Sequence, residues 1–352
     1  MALTPQSVSQ YLSAKMGAGI EVKKLSQSFP GISRETWFAF GESAQGEVNV
    51  ALRFDPPEGS GGPSSLRAEW DIYSKLYKTE VPVAEPLWYE ENAELVDGRD
   101  LMVRRLVDGS STIAGLSDDS EAGAALRRKV AYECIEQLAR VHLLDWKAAG
   151  LDQILTPPQS AATAFRSEFD QWRAHWRKGR PFADPVFDEI LCWLSELIPT
   201  DTPRVSLVKG NNGVGEEIWR DGKIVAMSDW EVACLSDGIS DLFWSQGTIR
   251  LIGFDQALRH YEQCMGQKVS AERLAYAGLF ALAKQIICGN VFWYGHHKAG
   301  RTKRIYALST LGYSLDSRRR LGRCIGMNLL DAWSVISGDE KSLYTSVGEK
   351  ST

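Results

Sequence analysis

Residues Val205–Trp244 read VSLVKGNNGVGEEIWRDGKIVAMSDWEVACLSDGISDLFW, and the fold turns on how this stretch is parsed. Val205 to Val208 is a short apolar run of the kind that makes a buried strand. A loop rich in Gly and Asn, Gly210 to Gly215, follows it. Glu217–Arg220 and Lys223–Met227 flank Asp221-Gly222, and an Asp-Gly pair between two apolar runs is a strong hairpin signal. The second arm ends at Ser228-Asp229-Trp230-Glu231. Packing alone does not account for a carboxylate at the end of a buried strand. Asp229, opposite a polar loop across a tight hairpin, therefore marks a small site for metal and phosphate.

Upstream of this hairpin the pattern is that of a sheet. Residues 5–16 read as a short helix. Glu21–Leu25, Glu35–Phe40 and Val48–Phe54 then alternate as strands do, with a hairpin loop at 41–46. Asp55–Ser65 (DPPEGSGGPSS) is a loop by composition, and Ser64 or Ser65 is placed to cap a helix over Leu66–Tyr77. Glu85–Tyr89 and Leu101–Leu106 are further strands. From Asp119 the chain turns helical, beginning with 124–146, where Val130, Cys134, Leu138 and Val141 recur at helical spacing. Helices are also expected over 165–176, 187–197, 239–252, 254–265, 271–297 and 302–334, with a polar tail that frays from Gly338.

This layout resembles the aminoglycoside phosphotransferase-like family of kinase-fold small-molecule kinases, and within it the kinase-like domains fused to some acyl-CoA dehydrogenases. The family pattern is roughly L-V-H-G-D-x-x-x-x-N, a hairpin, L-D-W-E, and a later G-D-P-x-x-D-L-A. Leu207, Val208 and Gly210 match it, as do Asp229-Trp230-Glu231, Ser236-Asp237-Gly238 and Asp241-Leu242. His142-Leu-Leu-Asp145-Trp146, with Ala149-Gly150-Leu151, is similar to the family's V-H-x-x-D-W-x-x-x-G-L segment. Two diagnostic side chains differ: Asn211 replaces the aspartate base, and Glu216 replaces the metal-binding asparagine. Lys209 also stands where the family has histidine.

The resemblance implies an α+β, two-lobed protein-kinase-like fold. Residues 1–106 would form a small nucleotide-binding lobe, an antiparallel sheet plus one helix, and 107–352 a mainly helical lobe carrying the catalytic-type loop and the metal hairpin. It implies that Arg53 contacts phosphate and pairs with Glu69, that the Met102–Leu106 hinge, including Val103, receives the adenine through its backbone, and that Ser28–Ser33 is the phosphate-covering loop. Asp229 carries over as a metal ligand, with Glu216 as the second and Glu217 competing for that role. His142 and Asp145 carry over as structural residues fixing helix ends. The implied activity is an atypical phosphotransfer from Mg²⁺-bound ATP (or GTP) to a hydroxyl of a small metabolite, an acyl-CoA-like one among the options. Asn211 cannot accept a proton, and loss of a general base costs about 10²- to 10⁴-fold in rate. Three readings follow: a divergent kinase in which Lys209, Glu216 or a substrate group compensates, a fold that binds nucleotide or metabolite without transfer, and ATP-independent chemistry in the same cleft.

The whole chain sets outer limits. Its 352 residues, 44% hydrophobic and 24% charged, suit one large two-lobed core or two modest domains. A net charge of −5 argues against non-specific nucleic-acid binding. The opening residues lack a basic segment followed by an apolar run, so no secretory signal is expected. No stretch approaches the roughly 18 apolar residues of a membrane span. Six cysteines without a C-x-x-C pair fit buried thiols in a reducing cytoplasm. The G-x-x-G-x-G string at Gly210–Gly215 precedes a strand and not a helix, which excludes a dinucleotide loop. His296-His297 are adjacent on a helix and cannot both face one metal, and Phe292, Trp293 and Tyr294 read as core. Arg318–Arg323 carries a basic cluster on a helix, read as a solvated face.

Overall fold

The computed structural model describes residues 3–28, 33–57, 64–298 and 314–345, with the side chains of 246, 292–298 and 339–345 outside the description. The inner part of the phosphate-covering loop, residues 29–32, the stretch 58–63 and the side chains of Phe292, Trp293, Tyr294, His296 and His297 thus lie outside the described residues. The chain divides into two compact units, and the division interleaves them along the sequence. The first comprises Met1–Arg140, Asp145–Ile154 and Asn211–Ala233, and the second Val141–Leu144, Leu155–Gly210 and Cys234–Thr352.

The first unit is built on five antiparallel strands, β1 (Ile20–Gln27), β2 (Glu35–Ser43), β3 (Gly46–Phe54), β4 (Pro86–Ala93) and β5 (Arg99–Arg105), in the order β1-β2-β3-β5-β4. Alternation along β3 decides what each face does, because successive side chains point to opposite sides. Val48, Val50, Leu52 and Phe54 join Leu101 and Val103 of β5 in a core closed by Val8 and Leu12 of helix α1 (Pro5–Met16). Arg53, out of phase with them, is turned to the other face, that of helix α2 (Leu66–Leu76). Ser65 caps α2 by accepting from the Ala68 amide at 3.1 Å.

The Asp-Gly hairpin is present as β7 (Ile218–Arg220) and β8 (Lys223–Ala226), following β6 (Ser206–Val208) of the second unit. Asp221 (φ 54°) and Gly222 (φ 74°) both occupy the left-handed region, as a two-residue type I′ turn requires. The hairpin is tied down from three sides. Its Met227 amide donates to Pro82 O, Trp219 and Ser110 exchange backbone bonds, and Lys223 pairs with the buried Glu133 of α3 (Glu121–Leu143).

In the second unit β6 pairs antiparallel with β9 (Cys234–Ser236), a strand too short to leave a periodic signature in the sequence. The helices are α4 (Ala164–Gly179), α5 (Pro185–Glu196), α6 (Ile239–Trp244), α7 (Gln246–Ile249), α8 (Phe254–Met265) and α9 (Ala271–Lys298), then Asp316–Gly322 and Leu329–Thr345. Three expectations need correction. The 239–252 helix breaks at Ser245 into α6 and α7. The described part of 302–334 is two helices separated at 323–328. The last helix runs past Gly338 to Thr345. One stretch, Ala271–Val291, does reach membrane length with a mean hydropathy of 1.3, but 78% of it is buried inside the fold. Among the described residues it serves as a core helix, packing Tyr276, Phe280 and Ile287 inward. No disulfide joins the cysteines: Cys134, Cys234 and Cys324 are buried and Cys192 is exposed.

Asp241, at the start of α6, organises the end of β6. Its carboxylate accepts from the Lys209 and Gly210 amides, each at 2.7 Å, and stands 3.0 Å from His142 Nε2. A carboxylate only accepts, so Nε2 carries the proton and Nδ1 accepts from the Tyr261 hydroxyl at 2.8 Å. His142 is thus structural, although it joins α3 to α6 and α8 and does not fix a helix end. Asp145 does cap a turn, accepting from the amides of Lys147 and Ala148. An alanine at Gly238 would bring its Cβ to 2.7 Å from the His142 ring, so this turn admits only glycine. Asp241→Ala strands two buried amides and His142, and is expected to lower stability by about 3 kcal/mol or more. Asp241→Asn, which keeps one acceptor oxygen, loses less. Urea unfolding midpoints of both variants check the order.

Candidate active site

Within the first unit, residues distant in sequence converge on Arg53. Its Nε donates to Glu69 Oε2 at 3.1 Å and its Nη1 to Thr36 Oγ1 at 3.2 Å. Its Nη2 stands 3.8 Å from Asp229 Oδ1 and 3.7 Å from Glu231 Oε2, within ion-pair range but beyond a hydrogen bond. The expected Arg53–Glu69 pair therefore forms. A third charged residue shares it. Arg34, whose side chain is 0% exposed, donates from Nε to Asp55 Oδ1 (2.7 Å) and from Nη1 to both Glu69 Oε2 (3.2 Å) and Glu231 Oε2 (3.0 Å). Its Nη2 donates to the Ser64 carbonyl. Ser33 Oγ adds a bond to Glu231 at 2.7 Å.

Asp229 sits at φ 62°, in the left-handed region that aspartate and asparagine enter more readily than other non-glycine residues. Asn211 Nδ2 donates to its Oδ2 at 3.0 Å. The other oxygen, Oδ1, is buried without a hydrogen-bond partner, as are Glu69 Oε1, Tyr73 Oη and Arg104 Nε. Glu69, Asp229 and Tyr73 interact electrostatically with Arg53, and Arg104 with Glu69 and Tyr73.

The charges perturb one another in opposite directions. Burial acts to raise Glu69, but the guanidiniums of Arg53, Arg34 and Arg104 outweigh it and hold its carboxyl below the ordinary value. Glu231 goes the other way: burial, reinforced by the Asp229 charge, pushes it up to about 7 despite Arg53 and Arg34. Burial pushes the Tyr73 phenol up to about 12, with the Arg104 guanidinium, 4.3 Å from the ring centre, opposing it.

The other anticipated residues are placed as follows. Lys209, in the second unit, is completely buried, with its amide on Asp241. Glu216 is exposed, and its backbone carbonyl accepts from the Ser228 hydroxyl. Glu217 is buried, and its Oε2 accepts from the Ser228 amide at 3.1 Å. The side chain hydrogen-bonded to Asp229 is that of Asn211. Val103 lies inside the ladder, facing Leu52 of β3 and Trp88 of β4, so its backbone sits in the middle of the sheet. The β3–β5 ladder continues through Leu106, whose amide donates to Asn49 O. The sequence reading missed Arg34 and the buried role of Glu231. Arg34 directly precedes Glu35 at a strand end, where a charged pair reads as surface.

No three His, Cys, Asp or Glu side chains cluster as a metal set among the described residues. Mg²⁺ binds through one or two protein oxygens plus phosphate and water. Asp229, with a buried oxygen accepting no hydrogen bond, fits such an ion.

Residues 30–265 match the model of the phosphotransferase enzyme family. The chain belongs to that family. Over 255 residues it is 24% identical to mouse acyl-CoA dehydrogenase family member 10; the match covers 70% of this chain but only 22% of that protein. Among solved structures, a Ralstonia eutropha protein assigned to the aminoglycoside phosphotransferases superposes with a TM-score of 0.67 at 15% identity, covering 96% of this chain and 99% of the other. A thermostable aminoglycoside phosphotransferase APH(4)-Ia, crystallised with ADP and hygromycin B, gives 0.59 at 16% identity over 92% and 99%. The macrolide 2'-phosphotransferase MphH of Brachybacterium faecium gives 0.55 at 17% identity over 87% and 97%. These likenesses establish the two-lobed, kinase-like α+β fold that the sequence pattern led us to expect.

Removing the shared carboxylate tests the cluster. Glu69→Ala takes from two buried guanidiniums the carboxylate they share and should cost about 3–5 kcal/mol, read as a drop in the urea midpoint. Because the Glu69 pKa is depressed in the folded state, its stabilisation is complete above the ordinary value of 4.5 and is lost as pH falls through the lower folded value. Wild-type stability should therefore decline more steeply below pH 4.5 than that of Glu69→Gln.

Proposed function

We propose that the chain is a small-molecule phosphotransferase that moves the γ-phosphoryl group of ATP (or GTP) to a hydroxyl of a small metabolite. The observation that carries this reading is the pairing at one place of Arg53 Nη2, a donor edge without a hydrogen bond, with Asp229 Oδ1, a buried acceptor without one. A phosphate oxygen on the first and Mg²⁺ on the second would satisfy both. When bound, the ion neutralises charge on the transferring group. Arg53 then orients the phosphates, Glu69 holds Arg53, and Asn211 fixes the Asp229 carboxylate. Backbone for an adenine ring is sought past the end of β5, beyond Leu106.

In the transfer the P–O bond to the nucleoside diphosphate breaks as the acceptor oxygen bonds to phosphorus. Such a loose transition state demands position and charge stabilisation more than base strength. Asn211 accepts no proton, so the hydroxyl proton leaves to a phosphate oxygen or to solvent, and turnover is slow. The same residue favours the second reading, nucleotide binding without transfer. The acyl-CoA dehydrogenase relative shares too small a part of its length to point to an acyl-CoA-like acceptor.

Calorimetry with ATP, with and without Mg²⁺, tests the reading. Binding should require Mg²⁺ and be lost in Asp229→Ala. With a hydroxylated acceptor found by screening, Asn211→Asp should transfer phosphate at least as fast as wild type, by about 10²-fold where the base is limiting. Binding with no phosphorylated product in either protein would select the second reading. No binding at millimolar ATP would remove both.

A further inference from the structure

Arg34 is the most deeply engaged cation of the cluster, and the phosphotransfer scheme assigns it nothing. Its donors are distributed over Asp55, Glu69, Glu231 and the Ser64 carbonyl, so it has no edge to offer a ligand. Its effect must pass through what it holds. Glu231 is 7% exposed, and its Oε2 is met by Arg34 Nη1 at 3.0 Å, Ser33 Oγ at 2.7 Å and, more distantly, Arg53 Nη2 at 3.7 Å. If Arg34 were absent, the nearest cation able to compensate this buried carboxylate would be Arg53. Closing the gap from 3.7 Å to hydrogen-bond range would turn Nη2 inward, take up one of its two N–H donors and swing the other out of line for phosphate.

We propose that Arg34 is a positioning residue: by holding Glu231 and sharing Glu69, it keeps the Nη2 edge of Arg53 turned toward Asp229, where a nucleotide phosphate accepts from it. The proposal rests on the phosphotransferase reading for its ligand, but its geometric core concerns the ligand-free protein. A lysine does not substitute, because a single ammonium cannot reproduce a planar fork reaching three carboxylates.

The test is a double-mutant cycle with Glu231→Gln, read in two ways. In ligand-free protein, the arginine Nε–Hε NMR signal of Arg53, assigned by its loss in Arg53→Lys, should shift in Arg34→Met and shift little when Arg34→Met is made in the Glu231→Gln background. In calorimetry with Mg·ATP, Arg34→Met should weaken binding about tenfold or more in the wild-type background but less than about threefold in the Glu231→Gln background. Equal losses in both backgrounds, or an unmoved Arg53 signal, would overturn the proposal. If Arg34→Met does not fold, Arg34→Met/Glu231→Gln should, since the buried charge demanding Arg34 is gone. Failure of both to fold beside a folded Glu231→Gln would reduce Arg34 to a folding role. A wild-type protein that ignores Mg·ATP would end the phosphotransferase reading, while the NMR cycle would still decide what Arg34 does to Arg53.

Discussion

One carboxylate oxygen, Glu69 Oε2, receives two guanidiniums, from Arg34 at 3.2 Å and from Arg53 at 3.1 Å. Both cations carry burial costs that a single ion pair does not offset, so the remaining acidic groups, Asp55, Glu231 and Asp229, gather around them. The geometry of the first unit follows from this demand. Alternation in β3 sends Arg53 to the α2 face, the Ser65 cap starts α2 so that Glu69 falls in its first turn, and the hairpin anchors deliver Asp229 and Glu231. The cluster joins strand, helix and hairpin by charge, while the opposite face of the sheet packs its apolar residues against α1.

The second unit solves a comparable problem with one acid. Asp241 satisfies the two amides at the end of β6 and fixes His142, so the backbone leading into the Gly-rich loop is set by hydrogen bonds at its root. Gly210, Gly213 and Gly215 then take φ values of 82°, 106° and 103°, which side chains rarely adopt. The course of the loop that brings Asn211 against Asp229 therefore depends on glycine at these three positions.

Much of this was legible in the residues. The five strands, α1, α2 and the Asp-Gly turn all announce themselves through period, caps and turn chemistry. Arg53–Glu69 and Asp229 were reachable because a strand end, a helix and a hairpin end can be ordered along a known pattern. Arg34 and Glu231 were not. An ion pair 197 residues apart in the chain leaves no local trace, and an arginine at a strand end looks like surface until a buried acid is found facing it. β9 escaped for a different reason: three residues cannot display a period, and its existence depends on β6 offering an edge. The split of 239–252 at Ser245 likewise reflects tertiary constraint, since no proline or glycine interrupts that helix before Gly247.

The interleaving of the two units has a consequence for the order in which the protein is made. When translation reaches Ile154, Arg34, Arg53, Asp55 and Glu69 have all been synthesised, two positive and two negative, and they can match one another. Asp229 and Glu231 arrive only after the second unit's 155–210 segment, so the nascent sheet and its helix wait in a charge-balanced state. The late hairpin then adds two further carboxyl groups, Asp229 and Glu231, beside Arg53.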